Sequence, residues 1–250
     1  MKEKLPFSGS HVAYDLIYSA KDTKTEVEYL VRLVKDYGDQ TNSIVEFGCG
    51  TGRHLRGLRE YGFYVHGIDS SPEMVKKANG YDDGSVSEGD IRDVSCDMQY
   101  DAGMAIFHVV SYLTEQGGLE RALKNTARII KVGGLMIFDF WYKPCVMKQG
   151  ASAKSMCAEN NEMKVVRNCK PRHAGDSCID VVFDFAIDWK EKSRKESFRE
   201  IHRMRCYSLD EIETIGKRSG FELVRAEAWL TGKEPSDDEW GIVAIMRRVK

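Results

Sequence analysis

The stretch SIVEFGCGTGRHL, residues 43–55, decides the fold of this chain. It predicts a short buried strand that enters a turn in which Gly48, Gly50 and Gly52 alternate with small residues. Glycine permits positive φ angles and lets a ligand approach the backbone closely. In a doubly wound sheet, ligands bind beyond the carboxyl ends of the strands, where this turn would lie. The stretch therefore predicts a ligand site at the end of the first strand of an α/β sheet.

Strand and helix patterns alternate from residue 43 to residue 141, which predicts a doubly wound, Rossmann-like sheet covered on both faces. Ahead of this region, apolar residues at helical spacing predict a helix that ends at Gly38. Another helix is predicted directly after Ser71, which would be its N-cap. A later helix is expected to end at the glycine pair 133–134, before the strand LMIFDFW.

The pattern changes between residues 163 and 206, where three β-rich runs follow one another with no helix between them. Apolar and polar residues alternate there, which predicts an antiparallel sheet. Ser208 and Glu211 are then spaced as a capping box at the start of a helix, and two final strands follow. We therefore predict a single domain over residues 1–250 with a β insertion at residues 142–207.

Composition narrows the class of protein. The net charge of −2 disfavours a dedicated nucleic-acid binder, and no apolar run approaches the roughly 20 residues that span a bilayer. The N-terminus lacks the apolar core of a signal peptide, and the seven cysteines form no C-x-x-C pair, so we predict a cytoplasmic protein with free, mostly buried thiols. Zinc is disfavoured because its four candidate ligands lack paired spacing, and no metal is predicted. Those candidates are Cys157, Cys169, His173 and Cys178.

The glycine turn and its flanking acids indicate which ligand it takes. The dinucleotide-binding motif G-x-G-x-x-G needs glycine where this chain has Arg53. Glu46 would repel a pyrophosphate but suits a cofactor that carries an ammonium and a sulfonium group, as S-adenosylmethionine (SAM) does. Asp69 ends the second predicted strand, 21 residues after Gly48, where a carboxylate accepts hydrogen bonds from ribose hydroxyls. The alternative is that Asp69 only caps the following helix.

The segments VEFGCGTGRHL, VHGIDSSPEMVKKA, EGDIRDV and YDAGMAIFHVVSYL resemble the successive motifs of class I SAM-dependent methyltransferases, and the resemblance covers most of the chain. It implies a seven-stranded sheet with SAM as cofactor. It also implies that Glu46, Gly48 and Gly50 line the methionine end of SAM and that Asp69 holds the ribose. Asp90 and Ile91 would border the adenine, and Phe107 would reach the site from below.

Three further segments, AYDLIY, DFWYKP and REIHRMRCYS, resemble small methyltransferases that act on sugar nucleotides, the best known of which dimethylate the amine of dTDP-linked amino sugars. No Asn/Asp-Pro-Pro-aromatic tetrapeptide is present, which disfavours methylation of nucleic-acid bases or of glutamine. In the sugar group a lead helix closes over SAM, which implies that Tyr14 and Tyr18 face the cofactor. The insertion would help to form the acceptor pocket and a homodimer contact. Tyr14 and Tyr18 are spaced i, i+4, so the alternative remains that they form one helical face that only packs on the domain.

The acceptor decides how much catalysis the side chains must supply. A neutral amine is already a nucleophile, whereas a hydroxyl needs a general base. His108, His202 and Tyr18 are the predicted catalytic residues; for His202 the alternative is a polar strand face at the surface. An O-methyltransferase and a non-catalytic SAM-binding module remain alternatives. The predicted cofactor-binding set is Tyr14, Glu46, Gly48, Cys49, Gly50, Asp69, Ser70, Met74, Asp90, Ile91 and Phe107.

Overall fold

The computed structural model describes residues 1–81, 85–175, 177–191 and 194–249. In chain order its strands are β1 (Lys2–Lys4), β2 (Ser43–Phe47), β3 (Tyr64–Asp69), β4 (Val86–Glu88), β5 (Tyr100–Ala105), β6 (Ile130–Tyr142), β7 (Lys154–Glu159), β8 (Met163–His173), β9 (Cys178–Trp189), β10 (Arg194–Tyr207), β11 (Phe221–Ala228) and β12 (Gly241–Arg248). Its α-helices are α1 (Tyr14–Ile17), α2 (Thr23–Tyr37), α3 (Arg53–Glu60), α4 (Pro72–Tyr81), α5 (Gly118–Ile129), α6 (Lys143–Gln149) and α7 (Leu209–Arg218).

The chain divides into two compact units. Unit 1 comprises Met1–Lys21 and Gln149–Arg205, and unit 2 comprises Asp22–Lys148 and the chain from Cys206 onward. The single domain and the insertion boundaries stay predictions.

Unit 2 contains a seven-stranded sheet in the order β4-β3-β2-β5-β6-β12-β11. The first five strands are parallel, and β12 runs antiparallel to both of its neighbours. All five residues of β2 are buried because helices cover both faces of the sheet. Val45 packs in the cluster that includes residues of α5 and α7, and its neighbour Ile44 packs with residues of α2 and α3. The predicted doubly wound, Rossmann-like fold is confirmed.

Unit 1 is built on an antiparallel sheet in which β7, β8, β9 and β10 are consecutive neighbours. The short strand β1 lies parallel to β10 beside Phe198, Arg199 and Glu200. A small apolar core that includes Ile17, Phe185 and Phe198 packs against this sheet. The predicted antiparallel arrangement is confirmed, whereas β1 and β7 were not predicted.

Several predicted helix ends are confirmed. Helix α2 ends with Gly38 as its C-cap, and α4 begins directly after Ser71. The capping box is also present, since the Ser208 side chain accepts from the N–H of Glu211 and the Glu211 side chain accepts from the N–H of Ser208.

The boundary between α5 and β6 differs from the prediction. The helix ends at Ile129 and the strand already begins at Ile130, so the pair Gly133 and Gly134 lies inside the strand. Gly133 has a φ of +84°, and the β5–β6 register shifts between Tyr100 and Ala102. The glycines therefore belong to an irregular strand start, which glycine tolerates as well as it tolerates a helix end.

The cysteines differ in part from the prediction. None of the seven, all of which lie among the described residues, forms a disulfide, but only Cys49, Cys145 and Cys206 are buried, and Cys157 on β7 is exposed. The expectation of mostly buried thiols was wrong because Cys157, Cys169 and Cys178 lie on strands of the small sheet of unit 1, which has little core, and because Cys96 of unit 2 is also partly exposed. Among the described residues, none of the helices has the length and apolar character needed to cross a membrane.

Candidate cofactor and acceptor site

The glycine turn connects β2 to α3 with a backbone that only glycine adopts freely. Gly48, Gly50 and Gly52 have φ angles of +67°, +57° and +75°. The N–H of Gly48 donates to the carbonyl of Ile68 at 2.7 Å, which ties the turn to the end of β3. A Cβ on Gly48 would lie 2.5 Å from Cγ2 of Val109. The turn is therefore held against its neighbours with no room for side chains at its first glycine.

Glu46 lies on β2 just before this turn and is only 1% exposed. Its Oε1 lies 2.8 Å from Nδ1 of His54, whereas its buried Oε2 has no hydrogen-bond partner among the described residues. Burying a carboxylate oxygen without a donor costs free energy, so this atom suits an incoming cation with N–H groups. Burial, together with Glu46 and Asp69, raises the pKa of the neighbouring Cys49 thiol well above its usual value, so Cys49 adds no further charge.

Asp69 ends β3 and connects the glycine turn to the next helix. Its Oδ2 accepts from the N–H of Gly50 at 2.8 Å and its Oδ1 from the N–H of Ser71 at 2.9 Å. Burial raises the pKa of Asp69, the two N–H groups oppose that rise, and Glu46 adds to it. An ionised carboxylate has about four acceptor sites, so about two remain for ribose hydroxyls. The contact with Ser71 shows that the helix-end role and the ribose role are compatible.

Four further predicted cofactor residues of unit 2 follow β3 or β4 in the chain. Ser70 is exposed directly after Asp69, and Met74 is buried in α4. Ile91 is buried just after β4. Oδ1 of its neighbour Asp90 accepts hydrogen bonds from the Nε–H and the backbone N–H of Arg92. The arginine holds the pKa of the Asp90 carboxyl below its usual value even though burial opposes this.

After β5 the backbone adopts an unusual conformation at two predicted site residues. Phe107 and His108 have φ angles of +72° and +64°, which non-glycine residues rarely adopt and which cost free energy. The N–H of His108 donates to Oδ1 of Asp139 at 2.9 Å, and its ring Nδ1 lies 2.7 Å from Oδ2, although not in line for a hydrogen bond. Asp139 is 1% exposed. Asp139 was not predicted from the sequence, although an acid inside the apolar strand LMIFDFW is a usable signal.

Aromatic rings adjoin His108. The ring of Trp141 lies 6.1 Å from the imidazole, and Trp240 lies 5.4 Å from Trp141, both in edge-to-face geometry. Trp240 was not predicted because it precedes the last strand, nearly one hundred residues along the chain from Trp141. The described site thus combines a histidine–carboxylate contact with aromatic surface.

Three predicted residues lie in unit 1. The Tyr14 and Tyr18 rings are 4.8 Å apart, and the Tyr18 hydroxyl accepts from Nη1 of Arg167 at 2.9 Å. His202 is 4% exposed, with Nε2 lying 3.1 Å from Oε2 of Glu200. The surface alternative for His202 was therefore wrong. The catalytic roles of Tyr18 and His202 and the cofactor role of Tyr14 stay predictions.

A comparison with known families agrees with this geometry: the family described as "Methyltransferase domain" matches residues 44–134. The match begins in β2, spans the glycine turn and Asp69, and ends in β6. Residues 44–134 thus match a methyltransferase domain, and the chain is a SAM-dependent methyltransferase. Its cofactor is SAM, and the orphaned oxygen of Glu46 and the free acceptor sites of Asp69 fit that molecule's ammonium and ribose groups.

Two curated relatives and one solved structure illustrate what this chain is similar to. The dTDP-3-amino-3,6-dideoxy-alpha-D-glucopyranose N,N-dimethyltransferase of Streptomyces fradiae is 30% identical over 134 residues, which cover 52% of each chain. The dTDP-3-amino-3,4,6-trideoxy-alpha-D-glucopyranose N,N-dimethyltransferase of Streptomyces venezuelae is 23% identical over 224 residues, 88% of this chain and 93% of the relative. SAM-bound CalS10, an amino pentose methyltransferase from Micromonospora echinaspora, shares the fold with a TM-score of 0.76 at 19% identity, covering 99% of this chain and 100% of CalS10.

Proposed function

We propose that this methyltransferase transfers the methyl group of SAM to the amine of a nucleotide-linked amino sugar. The observation that carries the proposal is the similarity to N,N-dimethyltransferases of dTDP-amino sugars, which extends over 88% of the chain for the Streptomyces venezuelae enzyme. The lead segment AYDLIY and the antiparallel sheet of unit 1 support the same group. A net charge of −2 supports a small-molecule acceptor over nucleic acid or a membrane.

The proposed cofactor roles follow the chemistry of each group. SAM supplies an electrophilic methyl group, and transfer depends mainly on how the acceptor is positioned. The carboxylate of Glu46 accepts hydrogen bonds from the ammonium group, and that of Asp69 accepts hydrogen bonds from the ribose hydroxyls. Gly48 lets the cofactor approach the backbone closely. The remaining proposed contacts are Tyr14, Cys49, Gly50, Ser70, Met74, Asp90, Ile91 and Phe107.

His108 is the proposed proton acceptor. An amine must lose a proton in the course of methylation, and a neutral imidazole accepts it at neutral pH. The carboxylate of Asp139 next to Nδ1 favours a proton on that nitrogen, which leaves the lone pair on Nε2. The same pair also supports a second candidate function, O-methylation, because a hydroxyl acceptor requires a general base.

The test is mass spectrometry of the protein incubated with SAM and paired nucleotide sugars that differ only by an amine or a hydroxyl. One or two methyl groups on the amine are expected. Methylation of the hydroxyl partner alone would establish the second candidate, and absence of both products with SAM unconsumed would contradict both. His108→Gln is expected to lower kcat about 100-fold or more, whereas His66→Gln on β3 leaves kcat unchanged.

We also propose, from the family resemblance alone, that the protein is a cytoplasmic homodimer. Light scattering on a sizing column should give about twice the chain mass of 28.4 kDa. A peak at the mass of one chain would contradict the dimer without touching the proposed reaction.

A further inference from the structure

Three buried ionisable residues from three elements meet beside the glycine turn. Glu26 of α2, His54 of α3 and Glu46 of β2 are 5%, 8% and 1% exposed. His54 lies between the two acids: its Nδ1 is 2.8 Å from Oε1 of Glu46, and its Nε2 is 3.2 Å from Oε2 of Glu26. We call these three residues the buried triad.

The geometry places one ring nitrogen of His54 against each acid of the buried triad. A ring nitrogen that carries a proton donates to the carboxylate that it faces. Asp69 also lies near enough to affect Glu46, and the Cys49 thiol is uncharged. One oxygen, Oε2 of Glu46, remains buried without a donor among the described residues.

We propose that His54, backed by Glu26, is a positioning residue for the ammonium group of SAM. It occupies one oxygen of Glu46, which fixes the carboxylate and reserves the other oxygen for the ligand's N–H groups. It also separates the carboxylates of Glu46 and Glu26, whose like charges repel each other. The proposal rests on the role of Glu46 in the proposed function.

The test measures recognition of one amino group rather than overall affinity. Calorimetry compares S-adenosylhomocysteine (SAH) with an analogue in which hydrogen replaces the α-amino group. The unsubstituted protein should prefer SAH by about tenfold or more, as expected for a hydrogen bond to a charged group. His54→Gln and Glu26→Gln should each reduce this preference at least threefold while leaving affinity for the analogue within about twofold.

Two further variants separate the outcomes. His66→Gln is the matched control, since its ring contacts Tyr100 and Ser87 instead, and it should retain the preference. Equal loss of affinity for both ligands in His54→Gln would show a purely structural role and overturn the proposal. If Glu46→Gln abolishes the preference for SAH but His54→Gln and Glu26→Gln keep it, the positioning role of His54 is overturned and the role of Glu46 stands. If Glu46→Gln keeps the preference, the proposed roles of both residues are overturned. Should His54→Gln not fold, the preference measured for Glu26→Gln decides the positioning role.

Discussion

At Gly48, two separate physical demands coincide in one residue. Its φ of +67° disfavours any side chain, and Val109 occupies the space that a Cβ would need. Gly62, at the end of α3, has a φ of +86° but no neighbour within 4 Å of a Cβ among the described residues. The two glycines therefore allow backbone strain to be separated from steric clash.

We expect Gly48→Ala to lower the free energy of unfolding by about 1–3 kcal/mol more than Gly62→Ala, because overpacking is added to the backbone term of about 1–2 kcal/mol. Urea denaturation of both variants measures the difference. SAH affinity should fall in Gly48→Ala alone. Equal losses of stability would show that Val109 moves aside without cost.

The sequence predicted residues whose role depends on local pattern and missed those defined by distant contacts. Glu46, Gly48 and Asp69 belong to a motif and lie where expected, at the ends of β2 and β3. Asp139 contacts His108 from 31 residues away, and the buried triad joins three elements. Such contacts depend on sheet order and on the packing of α2, which periodicity does not specify.

At the scale of elements, Asp101 joins the starts of β2 and β6. Its Oδ2 accepts the N–H groups of Asn42 and Ser43, both at 2.9 Å, and its Oδ1 pairs with Lys131 at 2.7 Å. Burial alone would raise its pKa, but the Lys131 ammonium and the donors of Asn42 and Ser43 together lower it to about 2. The ionised side chain thus stabilises the folded state.

Asp101→Asn should destabilise the protein by about 1–3 kcal/mol at pH 7. A carboxyl with a lowered pKa stabilises the fold above its unfolded value of about 3.9, and that contribution is lost as pH falls towards 2. In denaturation experiments, the difference in the free energy of unfolding between Asp101→Asn and the unsubstituted protein should therefore narrow as the pH falls from 5 to 3. Asp93→Asn, an exposed ion-pair control, should change stability by less than about 1 kcal/mol at any pH. If the difference for Asp101→Asn did not change with pH, the stabilising role of the ionised Asp101 side chain would be contradicted.

Long elements were predictable and short ones were not. The periodicity of α2 and the apolar run of β2 follow directly from burial of one or both faces. Strands β1 and β4 have three residues each, too few for a pattern, and they form because a neighbouring strand offers hydrogen bonds. The start of β6 was missed because a glycine pair signals a helix end and an irregular strand equally well.

For the whole molecule, cofactor binding is linked to unfolding. SAH binds the folded site, so at about 100 times its Kd it should add about 2.7 kcal/mol to the free energy of unfolding. That corresponds to a rise in Tm of roughly 5–10 °C for a chain of this size. Asp69→Ala removes the proposed ribose contact and should reduce the rise by at least half at the same SAH concentration. Asp93→Ala is the control, and an unchanged rise in Asp69→Ala would contradict the ribose role.

The two consecutive left-handed residues after β5 make this protein less stable than its fold allows. Phe107 and His108 each hold a backbone conformation that costs about 1–3 kcal/mol, and glycine or asparagine would release much of it. Directed evolution for heat resistance would therefore enrich glycine and asparagine at these two positions. The hardier clones would sacrifice turnover, because stability gained at a strained functional site is commonly exchanged for rate.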